Sequence, residues 1–160
     1  MAFALSSMRL TSPAFENGGA IPAKYTGEGD DLSPALVWQD APEGTKGFAV
    51  ICHDPDAPLV QNGTYGFVHW VLYNIPASVT TLEEASSVGR RGKNDFGKLG
   101  YGGPMPPEGH GLHRYYFWVL ALDKPTDDLP EGLKLHDLLV QVEPHLLGMN
   151  RLVGSFQRDS

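Results

Sequence analysis

Short apolar runs separated by glycine- and proline-rich turns set the hydrophobic pattern of this chain. Several of the runs are rich in β-branched and aromatic residues, which favours strands over helices. The wholly apolar run at 48–52 is typical of a buried central strand, and 66–75 has the most marked strand composition. The predicted strands are residues 8–11, 35–38, 48–52, 66–75, 115–123 and 151–157.

One segment has the period of an amphipathic helix. Leucine and valine recur at helical spacing between residues 134 and 147, which predicts a helix there. Pro144 interrupts the pattern, and we expect a kink or a break because proline lacks a backbone donor and clashes with the preceding turn. The segment 80–86 predicts one helical turn or a loop, and 89–100 predicts an ordered loop.

Strands that do not alternate with helices indicate a mostly β (α+β) domain built of packed sheets. The 160 residues suffice for one domain with a real core, so a single domain over 1–160 is expected. The net charge of -7 argues against nucleic acid or an anionic membrane as the main partner, because both attract basic surfaces.

The remaining composition bears on compartment and redox chemistry. Cys52 is the single cysteine, so no internal disulfide can form, and its apolar run favours a buried thiol over a reactive one. The first ten residues lack the basic region of a signal peptide, and no apolar stretch approaches the ~20 residues of a membrane span. We therefore expect a cytoplasmic protein without integral membrane association.

Two carboxylates follow the predicted central strand in the motif DPDAP. Asp54 and Asp56 lie two residues apart, so in an extended segment they project to the same side and need donors nearby. The alternative is an Asp-Pro turn in which each carboxylate bonds its own backbone, and spacing alone favours this turn.

Histidines supply the other candidate polar groups. His69 lies inside the strand 66–75 and is either a satisfied core residue or an imidazole oriented by a carboxylate, with a raised pKa and a positive charge for an anion. His110 and His113 are three residues apart, but Gly111 disfavours a helix between them, so a metal site is not expected. Tyr115 shares a strand side with His113 and can offer its hydroxyl to an anion.

Catalytic signatures are weak in this sequence. A Gly-x-Ser-x-Gly elbow is absent, as are the glycine-rich phosphate loops of nucleotide-binding folds. Arg114 points away from His113 in a strand and is interpreted as a structural arginine. The loop 100–111, rigid with glycine and proline, runs directly into the strand that opens with His113, which is a means of holding polar groups at the mouth of a pocket.

DPDAP, the Val-His-Trp of the strand 66–75, and the stretch from Pro106-Pro107 to His-Arg-Tyr together resemble the phosphatidylethanolamine-binding proteins, also called Raf kinase inhibitor-like proteins. The similarity covers most of the chain and looks like the bacterial branch. It implies a large central antiparallel-type sheet packed on a smaller sheet, with few peripheral helices. It also implies a shallow pocket for phosphate, phosphorylated head groups or similar small anions.

Carried over by position, the resemblance implies a pocket in which prolines are walls, histidines donate or carry charge, and aspartates orient them. The implied pocket residues are Asp54, Asp56, His69, Pro106, Pro107, His113 and Tyr115. The chain ends soon after Gln157, whereas mammalian members continue into a further helix, so a more open rim is expected. Where animal members have His-His, this chain has Val68-His69, and the Raf partner of animal relatives is not transferred.

Three functional hypotheses follow. The first is non-catalytic binding of a small anion or a phosphorylated group, for which no cofactor is expected. This hypothesis predicts an affinity that rises as the pH falls through the histidine pKa region. The second is a hydrolase of phosphoesters or peptides, with His69 or His113 as general base. The third is kinase inhibitor-like regulation of an unidentified protein partner, and exposed sheet edges would also allow a homodimer.

Overall fold

Two antiparallel sheets form the architecture in the computed structural model, which describes residues 5–57 and 66–158. The five-stranded sheet has the order β6-β4-β3-β7-β8, and the three-stranded sheet has the order β1-β2-β5. The strands are β1 (Arg9–Thr11), β2 (Leu36–Gln39), β3 (Gly47–Asp54), β4 (Phe67–Pro76), β5 (Thr81–Leu82), β6 (Arg90–Arg91), β7 (His113–Leu122) and β8 (Leu146–Phe156). The helix α1 spans Leu135–Val142, and single 3-10 turns span Ala23–Tyr25 and Glu143–His145.

The wholly apolar segment of β3 lies at the centre of the large sheet, as its composition predicts. Its alternate residues enter two cores on opposite faces. One core, with Val50 and Cys52, lies between the two sheets, and the other, with Ala49 and Ile51, lies under α1. The mostly β fold, with a large sheet packed on a smaller one, is therefore confirmed.

The predicted helix is shorter than its pattern indicates. It ends at Val142, and Glu143–His145 forms a 3-10 turn around Pro144, which cannot donate the helical hydrogen bond. Leu146, predicted as helical, instead begins β8 and is buried in the core under α1. Its periodic spacing therefore reflects burial against the same core, reached from a strand.

Two short strands lie in segments whose sequence predicts turns or loops. β5 falls within 80–86 and pairs with β2, and β6 falls within 89–100 and pairs with β4. Each contributes only two residues, which is too few to leave a periodic signal.

The outer edge of β8 is covered by the chain that precedes β2. Backbone amides of Ser6, Gly18 and Ile21 donate to carbonyls of β8, and the amide of Ser155 donates to the carbonyl of Gly19. This long strand therefore does not present a free row of backbone groups along the covered positions.

Cys52 is fully buried, and burial raises the pKa of its thiol well above the ordinary value, as expected of a small core residue. Among the described residues, no helix combines the length and the apolar character that crossing a bilayer requires. Pro58, the last residue of the DPDAP motif, lies outside the described residues.

Candidate functional site

A cavity of about 190 Å³ opens at the edge of the large sheet where β3 ends and where β4 and β7 begin. We call this cavity the cleft. Its polar lining consists of Asp54, His69, His113 and Tyr115, and its apolar lining consists of Ala57, Phe67, Phe96, Met105, Pro106 and Pro107. Six of the seven predicted pocket residues therefore line one cleft, and Asp56 does not.

A carboxylate and two imidazoles form a hydrogen-bonded row at the cleft. Asp54 Oδ2 lies 2.7 Å from His113 Nδ1, and both side chains are buried. His113 Nε2 lies 2.7 Å from His110 Nδ1, whose residue is exposed in the loop before β7. Because a carboxylate accepts, it fixes the proton of His113 on Nδ1 and so orients the ring. Burial raises the pKa of Asp54, although the hydrogen bond from His113 opposes that effect.

The two aspartates have different environments. Asp54 Oδ1 accepts a hydrogen bond of 2.8 Å from the backbone amide of Asp56, which closes a turn directly after β3. The turn leaves Asp56 exposed, where its Oδ2 accepts from the backbone amide of Arg114 at 2.8 Å. The expectation that both carboxylates share one side is therefore wrong, because the chain stops being extended at Asp54. The turn and the histidine pairing, which the sequence offers as alternatives, occur together.

A β-bulge directs His69 into the cleft. β4 is offset against β3 at this point, since Cys52 faces Trp70 and the next residue, His53, faces Val68. His69 is the extra residue, so Val68 and Trp70 enter opposite cores although they are two apart. The ring of His69 reaches the same face as Tyr115, at 5.2 Å between ring centroids.

The environment of His69 matches the first of its two predicted alternatives, a buried residue with a satisfied ring nitrogen. Its Nδ1 donates to the carbonyl of Gly102 at 2.7 Å, and its ring contacts Phe67 and Phe96. Burial lowers the pKa of His69 from 6.5 to about 4, and the carbonyl contact offsets only part of this effect. The other alternative, a carboxylate-backed and cationic imidazole, is therefore wrong for His69, which is neutral near pH 7. For His113 the expected geometry, an imidazole backed by a carboxylate, is observed.

Tyr115 lies between the two histidines. Its ring centroid is 6.3 Å from that of His113 and 5.2 Å from that of His69, and burial together with nearby carboxylates raises its pKa. A neutral phenol is a hydrogen-bond donor, so Tyr115 retains this capacity throughout the ordinary pH range.

The proline wall of the cleft is braced by Arg158. Its Nη1 donates to the Pro106 carbonyl at 3.3 Å, and its Nη2 contacts the Glu108 carboxylate at 3.1 Å. The Glu28 carboxylate lies 3.5 Å from its Nε. On this side the rim of the cleft is held by Arg158.

Several cleft residues were absent from the sequence-based set. Phe67 meets the ring of His69 at a tilt and Phe96 meets it edge-on, and Met105 lines the cleft next to the prolines. Aromatic residues in a strand and a loop look like ordinary core positions, so only the adjacency of Met105 to Pro106 gave a signal. Among the described residues, no group of three or more metal-ligating side chains is placed to hold an ion, and neither lysine nor arginine lines the cleft.

These features define a class of protein: a two-sheet β domain with a histidine- and proline-lined cleft at one sheet edge. The sequence model of the Phosphatidylethanolamine-binding protein family matches residues 11–157, and the chain belongs to this family. It is 43% identical to a UPF0098 protein of Aquifex aeolicus, over 95% of this chain and 90% of the relative. It is 42% identical to one of Methanothermobacter thermautotrophicus, over 94% and 99%.

Solved structures agree with this assignment. A phosphatidylethanolamine-binding protein homologue from Chlamydia trachomatis superposes with a TM-score of 0.87 at 35% identity, covering 95% of this chain and 98% of that one. Escherichia coli YbcL, described as a member of the mammalian family, gives 0.85 at 30% identity, with 95% and 99% covered.

Proposed function

We propose that the cleft binds a small phosphorylated group without catalysis, whether the group belongs to a phospholipid head, a phosphometabolite or a phosphorylated side chain. The observation that carries this proposal is the convergence of His69, His113 and Tyr115 on one small proline-walled cavity. Phosphate oxygens accept a hydrogen bond from the phenol of Tyr115, and the rigid walls lower the entropic cost of binding.

The proton positions favour a singly charged phosphate. His69 donates through Nδ1 to a carbonyl, so its Nε2 in the neutral ring is an acceptor. The carboxylate of Asp54 adds negative charge at the same cleft. A phosphate monoanion carries an O–H group that can donate a hydrogen bond to Nε2 of His69. A phosphate dianion has no such donor, so the Nε2 acceptor and the Asp54 carboxylate both disfavour it. Affinity should therefore rise as the pH falls through the second phosphate pKa of about 6.

Isothermal titration between about pH 5 and 8 tests the proposal with inorganic phosphate and phosphoethanolamine. Dimethyl phosphate, which keeps one charge and carries no titratable proton, shows whether ligand protonation causes the pH dependence. Tyr115→Phe should weaken binding, and Tyr116→Phe, the neighbour on the other face, should not. Unchanged phosphate affinity across the pH range, or no binding at all, would contradict the proposal.

A second candidate function is hydrolysis of a phosphoester or peptide, favoured by the Asp54–His113 pair. A buried carboxylate on Nδ1 is the arrangement that prepares an imidazole to act as general base. Turnover of a panel of phosphoesters and peptides by the purified protein, lost in His113→Ala, would establish this function. If the protein binds phosphate but turns over no substrate, hydrolysis is refuted and non-catalytic binding is the proposal that remains.

We further propose that binding serves a regulatory role in the cytoplasm, similar to that of kinase inhibitor-like proteins. Exposed apolar side chains of Phe96, Met105 and Leu112 lie at or beside the mouth of the cleft and give a partner carrying the phosphate a surface to contact. A partner captured from the native cell extract should be displaced by millimolar phosphate, and capture that ignores phosphate would refute this role. Size-exclusion chromatography tests whether the protein also forms the homodimer that exposed sheet edges would allow.

A further inference from the structure

A second, larger cavity of about 610 Å³ lies on the same sheet face as the cleft. We call it the second cavity. Trp70 and Leu72 of β4 form its buried floor, and Gly100 and Tyr101 contribute one wall. Tyr101 meets Trp70 edge to face at 5.3 Å between ring centroids. A volume of this size lies within the range of about 300–1,000 Å³ that small-molecule sites occupy.

Strained backbone is concentrated around the second cavity. Among the described residues, four non-glycine residues have a left-handed φ, and three of them, Asp31, Asn74 and Ala85, line it at φ of 58°, 57° and 55°. Such conformations cost free energy, persist only where neighbouring contacts enforce them, and collect at ligand sites.

Hydrogen bonds hold each strained residue in place. The amide of Ala85 donates to the Ser33 carbonyl, and the amide of Asn74 donates to Thr126 Oγ1. The carboxylate of Asp31 accepts from the amide of Gly103 at 2.7 Å. The wall of the second cavity is therefore preformed, as expected of a binding site.

Opposite charges stand next to each other on its rim. Arg91 Nη2 lies 3.7 Å from Glu131 Oε1, with the side chains 59% and 51% exposed. An ion pair so exposed contributes little to stability, and it opens readily to ligand groups. The guanidinium of Arg90, by contrast, is held by the carbonyls of Asp127 and Leu129. Arg91 and Glu131 are thus the charged groups available to a ligand.

We propose that the second cavity binds a small amphipathic zwitterion the size of an amino acid or dipeptide. Its carboxylate pairs with Arg91 and its ammonium group with Glu131. Its apolar side chain lies on Trp70, Leu72 and Tyr101. The lining balances two arginines against two carboxylates, which disfavours a ligand with a large net charge. Trp70 is only 3% exposed, so it does not offer the open ring face on which a sugar stacks.

Amide chemical-shift titration of the full-length protein with glycyl-L-phenylalanine tests the assignment. Saturable shifts are expected at residues 85–91 and 100–101, and at the indole of Trp70. The N-acetylated dipeptide and the C-terminal amide each lack one charge, and each should bind about tenfold more weakly, since a charge-assisted hydrogen bond is lost. Equal binding of all three, or shifts confined to the cleft, would overturn the assignment.

Variants localise the binding. Arg91→Gln should weaken the dipeptide about tenfold. Arg9→Gln is the matched control, because Arg9 forms a similarly exposed pair with Asp40 at 3.8 Å on the small sheet. Ser87→Trp, at an exposed lining position, should fill the second cavity and abolish dipeptide binding while phosphate binding at the cleft continues. Full dipeptide affinity in folded Ser87→Trp, or no saturable shift with the wild type at ~10 mM dipeptide, would refute the proposal.

Discussion

The Asp54 carboxylate and the His113 imidazole form a pair buried from water, with 2.7 Å between Oδ2 and Nδ1. The two residues come from the end of β3 and the start of β7, which are neighbouring strands of the large sheet. Because both side chains are almost fully buried, removal of one partner leaves a buried polar group of the other without its hydrogen bond.

The first prediction concerns this pair. Asp54→Asn should lower the free energy of unfolding by about 1–3 kcal/mol, since it replaces the charged carboxylate that accepts from His113 Nδ1 with a neutral amide oxygen, which is a weaker acceptor. Urea unfolding measures the change. Asp56→Asn, at the exposed position two residues later, should cost less than about 1 kcal/mol. Equal stability of the wild type and Asp54→Asn would show that the pair does not stabilise the fold.

The second prediction concerns pH. Burial lowers the pKa of His69 from 6.5 to about 4, so the unfolded chain takes up its proton first as the pH falls. The contribution of neutral His69 to the free energy of unfolding is fully present above pH 6.5. It is lost as the pH falls towards 4, and the free energy of unfolding then decreases by about 3 kcal/mol in all. His69→Asn keeps a donor for the Gly102 carbonyl but cannot titrate, so its unfolding free energy should lack this component.

The measurement for His69 is urea unfolding at a series of pH values. Asp54 also titrates in acid, with a raised pKa and hence the opposite sign, so the difference between the wild type and His69→Asn isolates the histidine. His145→Asn, at a partly exposed histidine, is the control. Parallel curves for the wild type and His69→Asn would show that His69 titrates normally.

The third prediction concerns Arg158 as a positioning residue for the proline wall. Arg158→Met keeps an apolar stem but loses the contacts to Pro106, Glu108 and Glu28. Amide hydrogen exchange at residues 108–110 should accelerate, and phosphate affinity should fall by about threefold to tenfold. Arg114→Met, at an exposed position, should change neither quantity. Unaltered exchange would mean that the wall is rigid without Arg158.

The fourth prediction compares adjacent glycines. A Cβ at Gly103 would collide with the Tyr25 carbonyl and the Asp31 carboxylate, whereas one at Gly102 would meet the ring of Phe96. Backbone yields less readily than a half-exposed ring, so Gly103→Ala should destabilise by about 2–4 kcal/mol and Gly102→Ala by clearly less. Gly102→Ala should also displace Phe96 from the cleft and weaken phosphate binding. Thermal unfolding of both variants checks the order, and the reverse order would contradict this packing.

The strands that carry the cleft were predictable because each is rich in β-branched and aromatic residues over eight or more positions. β4 and β7 begin and end close to their predicted bounds. The family resemblance also implied that aspartates orient the histidines, and Asp54 does pair with His113. The bulge at His69 was not predictable, because it depends on the offset between two paired strands, and no single residue type encodes that offset.

The partner of His69 escaped prediction for a related reason. A carboxylate leaves a signal in the sequence, but the Gly102 carbonyl is a backbone group that any residue carries. Its direction is fixed by the loop conformation, in which the amide of Gly102 also bonds the His69 carbonyl. The resemblance to a family supplied the cleft positions, while the charge state of each imidazole required the surrounding packing.

The backbone cover that Ser6 and residues 18–21 provide along β8 bears on how the protein behaves at high concentration. Uncovered, this strand of eleven residues would be a ready template for intermolecular strand addition. At the paired positions this cover denies a second molecule the backbone groups that it would need to extend the large sheet.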